Sequence, residues 1–228
     1  MSIPMRAGVI AIAAVALGIG LSGCGSDTKT DGSATTSPTS ETTSEAPTSA
    51  EAAGPQKTIV DYIKENNITE TQVQRGDPNA PTIDLPIPEG WEDAGNRTPE
   101  WAYGAIMYTG DPAAADDPPT IIAILSKLTG DVDETKILEY AAGEIQNLPD
   151  FAGPDVGKPS TLSGFEAMQI GGTYKRDGLN RMIAQKTVVI PGQDGLYVLQ
   201  LNADGTEDQA FALMDATQAI DEAAQITP

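Results

Sequence analysis

The chain opens with a continuous apolar run from Val9 to Leu21, then shows no apolar repeat from Gly25 to about Gly54, and only afterwards becomes periodic. In "TIVDYIKEN", Thr58–Asn66, Ile59, Tyr62 and Ile63 fall on one helical face. Asp131-Val132-Asp133-Glu134 has the D-x-x-E form of a helix start. Behind it Ile137, Leu138, Ala141, Ile145 and Leu148 keep helical spacing until Pro149 stops the run. Thr206-Glu207-Asp208-Gln209 is a capping box in the T-x-x-Q form. It opens a third helix with Ala210, Leu213, Met214, Thr217, Ile220 and Ala224 on one face.

Between these helices the period falls to two. Trp101–Tyr108 and Thr120–Leu128 are expected strands, separated by the breaker-rich "TGDPAAADDPP". Phe165–Arg176, Leu179–Ile190 and Leu196–Asn202 follow as consecutive strands. Asp177-Gly178 joins the first two as a type I′ hairpin turn, and "PGQDG" joins the last two. On Leu179–Ile190, Met182, Ala184, Val188 and Ile190 point one way and Ile183 and Val189 the other. Apolar residues on both faces imply a sheet covered on both sides. The expectation is an α+β fold, an antiparallel sheet of about six strands sandwiched between helices (α/β/α). Residues 55–228 are long enough to bury about 70% of their unfolded surface, so one domain without disulfides is expected.

The apolar start changes the picture of where this domain works. Arg6 and the run Val9–Leu21 have the form of a secretion signal, too short to span a bilayer that needs roughly 20 apolar residues. Leu21-Ser22-Gly23-Cys24 fits the lipobox of bacterial lipoproteins, and Cys24 is the single cysteine of the chain. In proteins of that kind the cysteine sulfur receives a diacylglycerol, cleavage follows the residue at Gly23, and Cys24 becomes the new amino terminus. One acyl chain holds a protein marginally and two or more hold it firmly, at about 0.8 kcal/mol per buried CH₂. Residues 1–23 are therefore expected to be a signal peptide and residues 24–54 a lipidated, Ser/Thr/Pro-rich tether. As a flexible coil that tether spans roughly 30 Å r.m.s.. The expected location is the extracytoplasmic face of the cell membrane, in the envelope, with partial release an open alternative.

Composition removes several function classes. The chain has 13 basic residues, 33 acidic residues and no histidine. Phosphate recognition relies on clustered Lys and Arg, so nucleic acid is not an expected partner. A Ser-His-Asp triad and histidine metal ligation are excluded outright, and one cysteine cannot form a zinc site. No cofactor, metal or catalytic residue is expected, and the acidity suits a soluble monomer.

The candidate sites are then few. Asp131, Asp133 and Glu134 lack calcium-loop spacing and are expected to serve the helix start. Asp111, Asp116 and Asp117 form an acidic connector. Trp91, Trp101, Tyr103, Met107 and Tyr108 form the aromatic set, in which Trp101, Tyr103 and Met107 fall on one face of an expected strand. Core packing explains such a set, and so does a partly open apolar slot in which rings stack under a sugar head and an acyl chain fills the depth.

"IDLPIPEGWE" (Ile83–Glu92), "TLSGFEAMQIGGTY" (Thr161–Tyr174) and the closing hairpin with its helix resemble the LpqN/LpqT lipoproteins of actinobacteria. The resemblance runs from about Pro55 to Pro228, and the P-x-P-x-G-W turn is similar to that of the wider PsbP-like fold group. It implies a cell-envelope lipoprotein without established catalysis, whose relatives are linked to glycolipid handling beside envelope transporters and to host factors. The leading expectation is a non-catalytic, lipid-anchored accessory protein that binds a glycolipid, an acyl chain or an envelope transporter. A surface module for a host or neighbouring protein, docking through Asp111–Pro119, is the alternative. A hydrolase built on Glu89, Glu92 and Asp93 is the weakest candidate, because nothing fixes a paired geometry.

Overall fold

Asp177 and Gly178 take φ of +54° and +80°, the two left-handed residues that a type I′ turn requires. The computed structural model describes residues 54–228; Gly23, Cys24 and most of the expected tether lie outside them. In chain order the elements are α1 (Ile59–Glu65), β1 (Thr69–Gln72), β2 (Thr82–Asp84), β3 (Trp91–Asp93), β4 (Gly104–Tyr108) and β5 (Thr120–Thr129). Then come α2 (Glu134–Tyr140), α3 (Gly143–Gln146), β6 (Lys158–Leu162), β7 (Phe165–Arg176), β8 (Leu179–Gly192), β9 (Gly195–Thr206), α4 (Ala210–Ala223) and β10 (Gln225–Thr227).

An antiparallel sheet runs in the order β3-β4-β5-β9-β8-β7-β6, with β1 also paired to β5; β10 and β2 form a separate two-stranded sheet. Helices cover both faces, as expected for an α+β sandwich. On one face α4 lays Leu213, Ala216 and Ile220 against Leu125, Val188, Ile190 and Leu199. On the other, α1 and α2 lay Ile59, Tyr62, Ile63 and Ile137 against Leu128, Val189 and Val198. β8 divides its side chains as its alternation predicts: Met182, Ala184, Val188 and Ile190 belong with the α4 face, and Val189 and Ile183 with the other.

Several details differ from the expectation. Eight strands, not about six, enter the main sheet, because β1, β3 and β6 join it. The run behind Asp133 is two helices rather than one. Asp133, not Asp131, caps it by accepting from Thr135 N–H at 2.9 Å. The second piece starts at Gly143, which presses on the chain entering the domain. A Cβ there would sit 2.1 Å from the Lys57 carbonyl oxygen. α1 is capped reciprocally by Thr58 and Asp61, and the Gln209 Oε1 accepts from Thr206 N–H at 2.9 Å ahead of α4.

Candidate functional site

The aromatic set does not form one slot. Trp91 is buried in the main core with its ring 5.7 Å from that of Tyr108. Gly90 makes this possible: it takes φ +77° in the Pro88–Trp91 turn, and a Cβ there would lie 2.7 Å from the Tyr108 ring. Tyr103 is buried in the same core, and its hydroxyl accepts from Ile83 N–H at 3.4 Å. Met107 lies in a separate cluster with Ala94, Ala105 and Ile122. Trp101 precedes the strand, in a turn closed by Ala102 N–H donating to Pro99 O, and is 51% exposed. The expected shared face of Trp101, Tyr103 and Met107 is therefore corrected: regular alternation starts at Gly104, so a period of two counted from Trp101 assigns the wrong neighbours.

The acidic connector is not simply solvated either. Asp111 caps a short 3-10 turn. Asp117 binds Arg181, which is buried on β8 and also donates to Asp204 at 2.8 Å from Nε. Tyr174 donates to the other oxygen of Asp204 at 2.5 Å. Burial opposes the charge of Arg181, but hydrogen bonds to Asp117 and Asp204 outweigh it and raise its pKa above the ordinary arginine value. Burial, then the bond to Asp204, pushes the Tyr174 hydroxyl up. This network pins the connector to the sheet. Of the weaker hydrolase set, Asp93 accepts from Gly95 N–H at 2.7 Å, and Glu92 is exposed on β3.

The space lies elsewhere. Between α4 and the strands β7, β8 and β9 runs a cavity of about 720 Å³, within the roughly 300–1,000 Å³ of small-ligand sites. None of the five aromatic-set residues lines it. Its floor is a single cross-strand row: Gly171 pairs with Ala184, Ala184 with Ala203, and Ala203 with Ile121. Small side chains in that row leave the volume that larger ones fill further along the same face. Met214, Thr217 and Ile220 of α4 form the opposite wall. One end is polar. There Lys158, Gln169 and Lys186 lie in the neighbouring row of β6, β7 and β8, and Lys186 Nζ donates to Asp221 Oδ1 of α4 at 2.6 Å. Met214 of α4 also lines the space and is 60% exposed.

Such a groove holds an apolar chain along its floor and a polar group at its polar end, where Lys158 and Gln169 stand beside the Lys186–Asp221 pair and Glu222 also lines the space, which is binding chemistry. Sequence reasoning missed Lys158, Gln169, Gly171, Lys186 and Ala203 as site residues. The available signal was the glycine–alanine content of otherwise bulky strands, which becomes meaningful only once the register is known.

The chain matches the family model described as "Probable lipoprotein LpqN" over residues 55–227. It is 53% identical over 226 residues to lipoprotein LpqN of Mycobacterium tuberculosis, spanning 96% of this chain and 97% of that protein. It is 28% identical over 165 residues to a protein named as lipoprotein LpqT of Mycobacterium leprae, spanning 70% of this chain and 71% of that one. The crystal structure of LpqN, described as involved in cell envelope biogenesis of Mycobacterium tuberculosis, is similar with a TM-score of 0.73 at 53% identity. That match covers 77% of this chain and 100% of that one.

Proposed function

The chain belongs to the LpqN lipoprotein family, and from that premise we propose that it is a non-catalytic cell-envelope protein that holds a single-chain, sugar-headed amphiphile between α4 and the sheet. In this reading Cys24 carries the lipid anchor, residues 25–54 tether the domain outside the membrane, and the bound amphiphile supports envelope biogenesis. Homology to lipoproteins supports the envelope assignment. Among the described residues no helix is long and apolar enough to cross a membrane.

The observation that carries the proposal is the groove of about 720 Å³ with its Gly171–Ala184–Ala203 floor. The test is calorimetric titration of dodecyl glucoside into residues 54–228. That fragment is suitable because the crystallised relative is matched end to end by 77% of this chain. Native domain is expected to bind. Ala184→Leu, which grows into the groove from a half-buried position, displaces ligand contact worth about 2 kcal/mol and lowers affinity roughly thirtyfold. No heat of binding to the native domain contradicts the proposal. Intrinsic fluorescence is the wrong probe, because neither tryptophan lines the groove.

A second reading rests on the exposed Trp101. A large aromatic projecting from a turn is the kind of residue that anchors a protein contact. Trp101→Ala is then expected to weaken capture of an envelope or host protein without affecting dodecyl glucoside binding, and unchanged capture dismisses it.

A further inference from the structure

The groove has a small neighbour. On the opposite flank of α4 lies a notch of about 70 Å³ whose lining includes Leu85, Ile106 and Ala123. Two residues, Ile121 and Ile220, line both spaces. The floor row of the groove continues directly into the notch, since Ile121 pairs with Ile106 on β4. The row from Gly171 to Ile106 thus crosses five neighbouring strands, roughly 19 Å at about 4.8 Å per strand. The row beside it changes character along the way. It reads Lys158, Gln169 and Lys186 on β6 to β8, then Leu201, Ala123 and Gly104 on β9 to β4. On the sheet, polar hydrogen-bonding groups stand at one end and no charge interrupts the other until Arg75 and Asp93, which line the notch; from α4, Asp215, Asp221 and Glu222 line the groove.

This polarity gradient matches an amphiphile lying across the strands. Resting on the function proposed above, we infer that groove and notch are two parts of one channel passing beneath α4. The sugar head sits over Lys158, Gln169 and Lys186, and the alkyl chain runs toward β4. Ile220, almost fully buried at 2% exposure, closes the channel against Ile121. It is the residue that sets how long a chain the protein accepts.

A homologous series of alkyl glucosides, octyl to hexadecyl and each below its micelle concentration, tests this on residues 54–228. Each methylene buried multiplies affinity by about fourfold, so native affinity climbs with chain length and then levels off where the chain meets Ile220. Ile220→Ala joins the two spaces and moves the plateau to longer chains. Ile220→Val, which keeps most of the core contact, moves it in the same direction by less and serves if the alanine variant melts too early to titrate. Adding Ile106→Phe, which fills the notch, returns the plateau to its native position. Gln169→Ala lowers affinity by the same factor at every length, because it acts on the head. A plateau unmoved in both Ile220 variants overturns the channel while leaving the groove proposal standing, provided Ala184→Leu still lowers affinity roughly thirtyfold. A Gln169→Ala loss that varies with chain length overturns the placement of the head. If no glucoside binds the native domain, both proposals fall.

Discussion

Strand β8 serves both faces of the sheet, and it closes one and leaves the other open. Toward α1 and α2 it sends Val189, which packs with Leu128, Val198 and Ile137, none of them more than 5% exposed. Toward α4 it sends Val188 and Ile190 at one end and Ala184 at the other. Val188 and Ile190 meet Leu125 and Leu199 in a filled core. Ala184 meets Gly171 and Ala203, and the helix above them has too little to rest on. The same strand and the same alternation therefore give a load of packed volume or a groove, depending on a few side chains in one row. Interiors normally pack at crystal-like density, so a row of small residues under a helix marks a site rather than a defect.

Substitutions on the two faces should accordingly separate stability from binding. The largest stability loss is expected on the closed side, at the Arg181 network. Arg181→Leu leaves Asp204 with only Tyr174 and the half-exposed Arg176, 3.2 Å away, as partners, and removing one member of a buried pair costs about 3–5 kcal/mol. Chemical denaturation reads this loss. Ile137→Ala, beneath α2, is expected to cost roughly 2–5 kcal/mol and to leave glucoside affinity unchanged. Ala184→Leu on the open side should do the opposite, with stability moved by less than about 1 kcal/mol and glucoside affinity lowered roughly thirtyfold. Thr58→Ala removes half of the α1 capping box, for about 1 kcal/mol, again without effect on binding.

The smallest effect concerns pH. The Thr58 hydroxyl and amide hold the Asp61 carboxylate below its ordinary value, and the Thr135 hydroxyl and amide do the same for Asp133. A carboxylate whose pKa is lower in the folded state adds stability that is complete above its unfolded value and fades as pH falls through the folded one. Both groups cap helices of the closed face. A melting temperature that is flat above about pH 4 and declines below it is expected. In an Asp61→Asn, Asp133→Asn double variant the acid decline should be shallower.

Local signals made the long elements legible. Asp177-Gly178, the alternation on β8, the apolar face of α1 and the capping box ahead of α4 each act within a few residues, and the structure follows them. The strands that escaped notice are β1, β2, β3, β6 and β10, three to five residues each. β1 is exposed at every position and β2 at all but Ile83. Their pairing comes from distant partners, so no periodicity announces them. The aromatic set misled because Trp91 and Trp101 are conspicuous in a chain with few rings, whereas rings most easily serve the core. The groove was invisible for a different reason. Gly171, Ala184 and Ala203 are unremarkable separately and become a floor only through the register of β7, β8 and β9.

The claim that the open face is the binding face is most directly tested by recording amide and methyl NMR spectra of residues 54–228 during titration with dodecyl glucoside. The account predicts concentration-dependent shifts at Gly171, Ala184, Ala203 and Met214, with Ile137 and Val189 unmoved. Shifts confined to Trp101 and the 111–119 connector, or no shifts at all, would contradict it.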